Sequence, residues 1–489
     1  MNVYGSGKEG MSLKQQAVSG VKWSGISMGV VTGLQFITLA VLARLLSPSD
    51  FGLMGMIMVV IGFAQLFADM GISNAIIYRQ DATRDELSSL YWVNVLAGFV
   101  LFGAVCGAAP LVTKFYHEPR LTDLIYLSSV IFLITPFGQQ FQILLQKELT
   151  FDRLTKIEIA GALANSATAV SLALFGLGVY SLIWGQLASA LLRVLLLSFW
   201  GWRNWRPRLH FAKRDLRGYI GFGLYQMGEK AVNYLSANID YIIIGRFLGP
   251  EALGFYTLAY QIVTFPLTKI NPIFTRVAFP TFSKIQDNNF KMRSGYCKVI
   301  NYISMISFPM LTGMIVVAPE FTKLVFGVKW NPSIIIIQIL CLVGVFKSLG
   351  NPIGSVLLAK GRADIGFYWN IFVVIMLSVA VIIGTNWGIA GVAFAILILQ
   401  MPLFFIIQPI VNRLINLKFK NYFQAIQSPF FCSLIMLAGM ISLKMILSDI
   451  NMLSLFITTV AVGIIIYGVS YYIKDKAALI ELRLMLRGR

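Results

Sequence analysis

The sequence predicts an all-α integral membrane protein with 14 transmembrane helices, arranged as two six-helix lobes related by a pseudo-two-fold axis plus two extra C-terminal helices. Three observations lead there. Of 489 residues, 57% are apolar and only 12% are charged, about half the charged share of an ordinary globular protein. The apolar residues fall into runs long enough for the roughly 20 residues that a bilayer crossing requires. A turn sequence also recurs at a fixed offset. Such a composition excludes disordered, collagen-like and disulfide-stapled chains. The net charge of +19 lies in islands between oily runs, which is not the basic stripe of a nucleic-acid binder.

In chain order the runs are 19–44, 51–78, 88–113, 121–145, 156–177, 179–200, 217–245, 253–275, 299–318, 333–358, 365–385, 388–410, 422–446 and 452–473. The longest connections are 201–216 and 276–298, so no soluble domain is expected. Residues 1–18 carry Lys8, Glu9 and Lys14 without a small-residue cleavage site and read as a cytoplasmic segment, with Met11 an alternative start. Basic residues set the orientation. With the N-terminus and every even connection on one side, 29 Lys and Arg lie on that side and 7 on the other. Both termini are therefore expected in the cytoplasm.

Two basic features stand out. The linker 201–216 and its edges interleave Trp200, Trp202 and Trp205 with Arg203, Arg206, Arg208, Lys213, Arg214 and Arg217. It reads as a topology anchor with interfacial tryptophans at an anionic leaflet, with recognition of a lipid pyrophosphate as the alternative. The tail 474–489 reads as a basic amphipathic helix on the membrane. Cys106, Cys297, Cys341 and Cys432 have no paired spacing and read as small apolar residues.

The repeat pairs LARLLSPSDFGLM at Leu42 with IGRFLGPEALGFY at Ile244, an ungapped offset of 202. A weaker echo pairs LLQK at Leu144 with LLAK at Leu357. Six spans plus six with the same starting side make a parallel repeat. The organisation is then an N-lobe at 19–200, the linker 201–216, a C-lobe at 217–410, spans 13 and 14 within 411–473, and the tail. A cavity between two such lobes is the usual basis of alternating access.

Polar side chains within lipid need a partner or a watery cavity. On span 7, Gln226, Glu229, Asn233, Ser236 and Asp240 share one helical face, with Lys230 beside it. The offset matches this face to Ser24, Ser27, Val31 and Thr38 of span 1, and both faces are expected to turn toward the cavity. Glu229, Lys230 and Asp240 form either a locking ion pair or a proton or cation site. Lys347 in span 10 and Arg193 in span 6 are candidate substrate-binding cations, although Arg193 could instead snorkel to the headgroups. Asp69 is a candidate ion-coupling residue or a structural partner. Thr135, Gln139, Gln142 and Gln146 recur at helical spacing on span 4, fit either to hydrogen-bond sugar hydroxyls or to tie helices together. No Walker-type ATP motif, D-x-D metal motif or histidine cluster is present. The expectation is a transporter rather than an enzyme, with no bound cofactor and a proton or sodium ion for coupling.

Several segments together carry a family likeness: GVKWSGI at Gly20, LARLLSPSDFGLMGM at Leu42, FADMGISNAII at Phe67, PFGQQFQILLQKELTFDRL at Pro136, FLGPEALGFYTLAYQI at Phe247, FPTFSKIQDN at Phe279 and APEFTKLVFGVKW at Ala318. Over essentially the whole chain from Ser12, the sequence resembles the polysaccharide-transporter branch of the multidrug/oligosaccharidyl-lipid/polysaccharide superfamily, the Wzx-type flippases. The resemblance implies a V-shaped pair of six-helix lobes in a bacterial inner membrane, working as an ion-driven exporter of an undecaprenyl-pyrophosphate-linked oligosaccharide for exopolysaccharide, O-antigen or capsule synthesis. It implies basic cavity residues that meet pyrophosphate and sugar. Expected partners are this lipid-linked substrate, membrane lipids, and the polymerase and chain-length regulator of the same pathway, with the monomer as the working unit. Small-molecule cation export on the same fold is the alternative, and a membrane-embedded polymerase a weaker one.

Overall fold

The computed structural model describes residues 13–68, 76, 82–203, 205–216, 220–447 and 450–476. Every regular element among them is helical. Among the described residues eleven helices are long and apolar enough to cross a membrane, and twelve if one bent pair counts as a span. The chain divides into two compact units, Met1–Glu251 and Ala252–Arg489.

The first unit contains α1 (Leu13–Leu45), α2 (Pro48–Ala68), α3 (Arg84–Tyr116), α4 (Leu121–Ser129), α5 (Ile131–Ile134), α6 (Pro136–Lys147), α7 (Phe151–Leu174), α8 (Val179–Gly201) and the first arm of α9 (Ile220–Lys284). Two helix starts show the local sequence at work. At α3, Thr83 Oγ1 accepts from the Glu86 amide at 3.2 Å while Glu86 Oε2 accepts from the Thr83 amide at 2.7 Å, a reciprocal cap. Predicted span 4 is broken. Pro136 lacks an N–H and begins a new helix, so the segments Leu121–Ile134 and Pro136–Lys147 meet at 47°.

The repeated turn is built by two devices. In the first copy Asp50 Oδ2 accepts from the Ser47 amide at 2.9 Å, and Asp50 Oδ1 accepts from the Val179 amide at 3.1 Å. In the second copy Gly249 takes φ +82°, which breaks α9 before Pro250. A side chain at that φ would be strained, so glycine stands where the first copy has Ser47.

Two sequence expectations change here. The span 1 hydroxyls Ser27 and Thr38 do not face a cavity. Both are buried: Ser27 Oγ donates to Glu158 and Thr38 Oγ1 donates to Ser166 Oγ at 2.6 Å, binding α1 to α7. Trp205 is not an interfacial anchor either. It is 2% exposed and packs against Tyr91 and Phe141 at centroid distances of 6.0 and 5.8 Å, whereas Trp202 stays 55% exposed. The cause is the path of the linker, which folds back onto the start of α3. Trp92 Nε1 donates to the Arg208 carbonyl at 2.8 Å, the Ala212 amide donates to Ser89 Oγ at 3.2 Å, and Ser89 Oγ donates to Asp215 Oδ2 at 2.7 Å. The Ser89 hydroxyl, then His210 and Arg214, hold the Asp215 carboxyl below its ordinary range.

The second unit contains the remaining arm of α9, α10 (Asn289–Val325), α11 (Pro332–Ala359), α12 (Ala363–Thr385), α13 (Gly388–Leu414), α14 (Phe419–Ile446) and α15 (Met452–Lys474). α10 packs against α11, α14 and α15. The sequence leaves the role of the last two spans open; here they are fastened to α10. Lys444 Nζ lies 2.8 Å from the Glu320 carboxylate and donates to the Val316 carbonyl at 2.9 Å. Tyr467 Oη donates to the Met305 carbonyl at 2.8 Å, and Asn301 Nδ2 to the Ala425 carbonyl at 2.7 Å.

Candidate functional site

The first unit holds a cavity of about 600 Å³, within the usual range for small-ligand sites. Its walls come from α2, α5, α6, α7 and α8. α6 contributes Gln139, Gln142 and Gln146, with Thr135 just before it; α8 contributes Gln186, Ser189 and Arg193; α2 contributes Gln65 and α7 contributes Asn165. The spacing places Thr135 and the three glutamines of α6 on one stripe, so the predicted glutamine face is a cavity wall. Gln140, one residue off the stripe, does the helix-tying work: it is fully buried and its Nε2 donates to the Leu87 carbonyl at 2.9 Å.

Among the described residues Arg193 is the one charged side chain in the lining. Its position depends on a glycine. A Cβ added at Gly161 of α7 would lie 2.3 Å from Arg193 Nε and 2.7 Å from its Cγ. The bare backbone therefore seats the arginine stem across α7. No carboxylate pairs with Arg193 among the described residues. Five primary amides, one further amide in Asn165, two hydroxyls and one uncompensated guanidinium make a site for a hydroxyl-rich ligand bearing negative charge. Arg193 lines this cavity together with Gln139 and Gln142.

The other sequence candidates lie elsewhere. Lys230 is exposed on the first arm of α9. On the same arm Asp240 is 5% exposed and its Oδ1 accepts from the Tyr241 amide at 3.0 Å. The side chain of Glu229, and Asp69 entirely, lie outside the described residues. Lys347 belongs to the second unit, with its ammonium 5.2 Å from the centre of the Tyr260 ring, which stacks on Tyr256. Among the described residues no group of His, Cys, Asp and Glu is placed to hold a metal ion. Sequence spacing passes over Gln65, Asn165, Gln186 and Ser189. On α8 a signal existed: 186, 189 and 193 lie at helical intervals on one face. Gln65 and Asn165 lie on two other helices, and only the tertiary fold joins them to the rest.

Comparison with solved structures defines the class. The chain aligns with the lipid II flippase MurJ in an inward closed conformation at TM-score 0.73, covering 94% of this chain and all of that one at 14% identity. It aligns with an inward-facing MATE-family multidrug transporter at TM-score 0.63, covering 81% of this chain and 98% of that one at 16% identity. At such identities the likeness shows the fold alone, that of a multi-pass helical membrane protein.

The family follows from sequence. Residues 41–335 match the model described as polysaccharide biosynthesis protein. The chain is 38% identical to the teichuronic acid biosynthesis protein TuaB of Bacillus subtilis (strain 168), over 97% of this chain and 93% of that one. It is 37% identical to the lipopolysaccharide biosynthesis protein WzxC of Escherichia coli (strain K12), over 87% of each. The chain belongs to this polysaccharide biosynthesis family.

Proposed function

We propose that the protein carries an undecaprenyl-pyrophosphate-linked oligosaccharide across a bacterial inner membrane, for exopolysaccharide, O-antigen or capsule synthesis. In this reading the two arms of α9 each cross the bilayer, completing fourteen spans with both termini in the cytoplasm. The observation that carries the reading is the amide-lined cavity with its lone arginine. A sugar chain cannot enter hydrocarbon with its hydroxyls unpaired, because each unsatisfied polar group costs several kcal/mol. The glutamines replace its water, each offering two donors and a carbonyl acceptor. Arg193 compensates an anionic group, and the polyprenyl chain stays in lipid.

An ion gradient supplies the work. One elementary charge moving down 100 mV releases about 2.3 kcal/mol. A proton or sodium ion that binds one arrangement of the helices better than the other biases the exchange between them.

Export of a cationic drug on the same fold is the second reading, raised by the MATE-family likeness. The cavity speaks against it, since its described lining pairs a cation with neutral amides and offers no carboxylate. Deletion followed by lipid extraction separates the two. A flippase deletion accumulates lipid-linked repeat units in the inner membrane and stops polymer export. Normal polymer in a strain with no second transporter would remove the proposal.

A further inference from the structure

Tyr234 and Arg246 tie the first arm of α9 to its own unit. Midway along it, Tyr234 Oη donates to the Met58 carbonyl of α2 at 2.9 Å. The ring lies against Gly62, where an added Cβ would come within 2.2 Å of that hydroxyl oxygen. About three turns further on, Arg246 Nη1 lies 3.0 Å from His117 Nε2. The same guanidinium carbon sits 5.6 Å from the centre of the Phe115 ring. His117 caps α3 in the left-handed region, φ 54° and ψ 36°.

The second tie has a fixed protonation requirement. A guanidinium has donors and no acceptor, so Nε2 of His117 must accept. The imidazole is then neutral, with its proton on Nδ1. The charged groups around it do not compensate a second positive charge. On its own segment Glu118 is engaged by Arg120 at 2.7 and 3.1 Å, and Lys114 lies in the last turn of α3. At the head of α2, Asp50 is engaged by Ser47 and by the Val179 amide. From α9 comes Arg246, followed beyond the Gly249 break by the exposed Glu251. Among the described residues no carboxylate pairs with the His117 ring. A proton on Nε2 would replace the acceptor with a donor aimed at a cation.

We propose that His117 is a proton-binding site that latches the first arm of α9: neutral, it holds Arg246, and protonated, it releases it. Histidine is the side chain whose charge ordinarily changes between pH 5 and 8. The placement of this latch on the face opposite the termini, and its use in coupling, rest on the transport reading above. The latch itself does not.

The test is a distance measured without substrate. Spin labels at positions 111 and 247, whose native side chains Leu111 and Phe247 are 71% and 59% exposed, report the separation of α3 from the arm in lipid nanodiscs. The wild-type background should show a short distance at pH 8 and a longer one at pH 5. His117→Gln keeps a carbonyl acceptor for Arg246 and does not titrate, so it should stay short at both values. His117→Lys should be long at both. A wild-type distance that ignores pH, or a His117→Gln protein that opens like wild type, would overturn the latch; the glutamine variant decides even where the lysine variant fails to fold. Intact titration in a protein that moves no lipid-linked oligosaccharide would defeat the transport reading and leave the latch standing.

Discussion

The α6 and α11 helices share a sequence pattern and end as opposite kinds of surface. Aligning LLQK at Leu144 with LLAK at Leu357 matches Thr135, Gln139, Gln142 and Gln146 to Ser348, Pro352, Ser355 and Ala359. The first set lines a cavity. The second is packed: Ser348 is 0% exposed, Ser355 9% and Ala359 4%, with Leu349, Ile353 and Val356 in the surrounding core. Ser348 spends its hydroxyl on the Val345 carbonyl and accepts from Ser307. The repeat thus supplies a scaffold and leaves the site to side chains. Long amides keep a wall open to polar ligands, while small residues let neighbouring helices close over it.

The largest expected effect tests whether the site resides in Arg193 and its seat. Arg193→Ala should weaken binding of a lipid-linked oligosaccharide by about 10- to 100-fold, since hydrogen bonds to charged groups contribute roughly 1.5–3 kcal/mol. Gly161→Ala should act in the same direction, because the new methyl occupies the place of the arginine stem. The double variant should be no worse than Arg193→Ala alone. Losses that multiply in the double variant would mean that Gly161 serves the packing of α7 on α8 independently of Arg193. Binding titrations of purified protein read both results.

A reciprocal exchange sharpens the comparison at intermediate effect. Ser355→Gln forces a long side chain into a filled space and should cost about 1–3 kcal/mol of stability, visible as a lowered Tm in detergent. Gln142→Ser empties volume already open to the cavity, so its Tm should stay near wild type while affinity falls several-fold. If the Tm values moved the other way round, the α6 face would be the packed one and the proposed contrast would be lost.

How much of this was legible in the sequence follows from the range of each signal. The eleven or twelve spans found among the described residues and the repeated turn rest on local hydropathy and on Pro48 and Pro250, and they were readable. The α6 stripe was readable because residues 135, 139, 142 and 146 share a helical face, and Arg193 because a charge in an apolar run has few explanations. Gln65 and Asn165 were not, since convergence from separate helices leaves no periodic trace. Trp205 was misread because a core tryptophan and an interfacial one have the same sequence context; only the docking of the linker on α3 distinguishes them. Ser27 and Thr38 were misdirected because a hydroxyl face suits a cavity and a helix partner equally, and here Glu158 and Ser166 are the partners.

The smallest expected effect lies just past the end of α6. There the first copy has Glu148 where the second has Gly361, whose φ of +67° suits glycine. Burial pushes the Glu148 carboxyl from its ordinary 4.5 up to about 7, against an opposing pull from Arg153. Its buried Oε1 has no hydrogen-bond partner among the described residues. Because the folded pKa lies above the unfolded one, the native protein favours the protonated form. The cost of ionisation is absent below pH 4.5 and develops as pH rises toward 7. Glu148→Gln should therefore match wild type at pH 4.5 and exceed it at pH 8. The gain should be about 1 kcal/mol, kept low because solvent screens a half-exposed group. Paired melting curves at the two pH values measure it. A gap between the proteins that does not widen with pH would show the carboxylate to be as well solvated at this turn as it is in the unfolded chain.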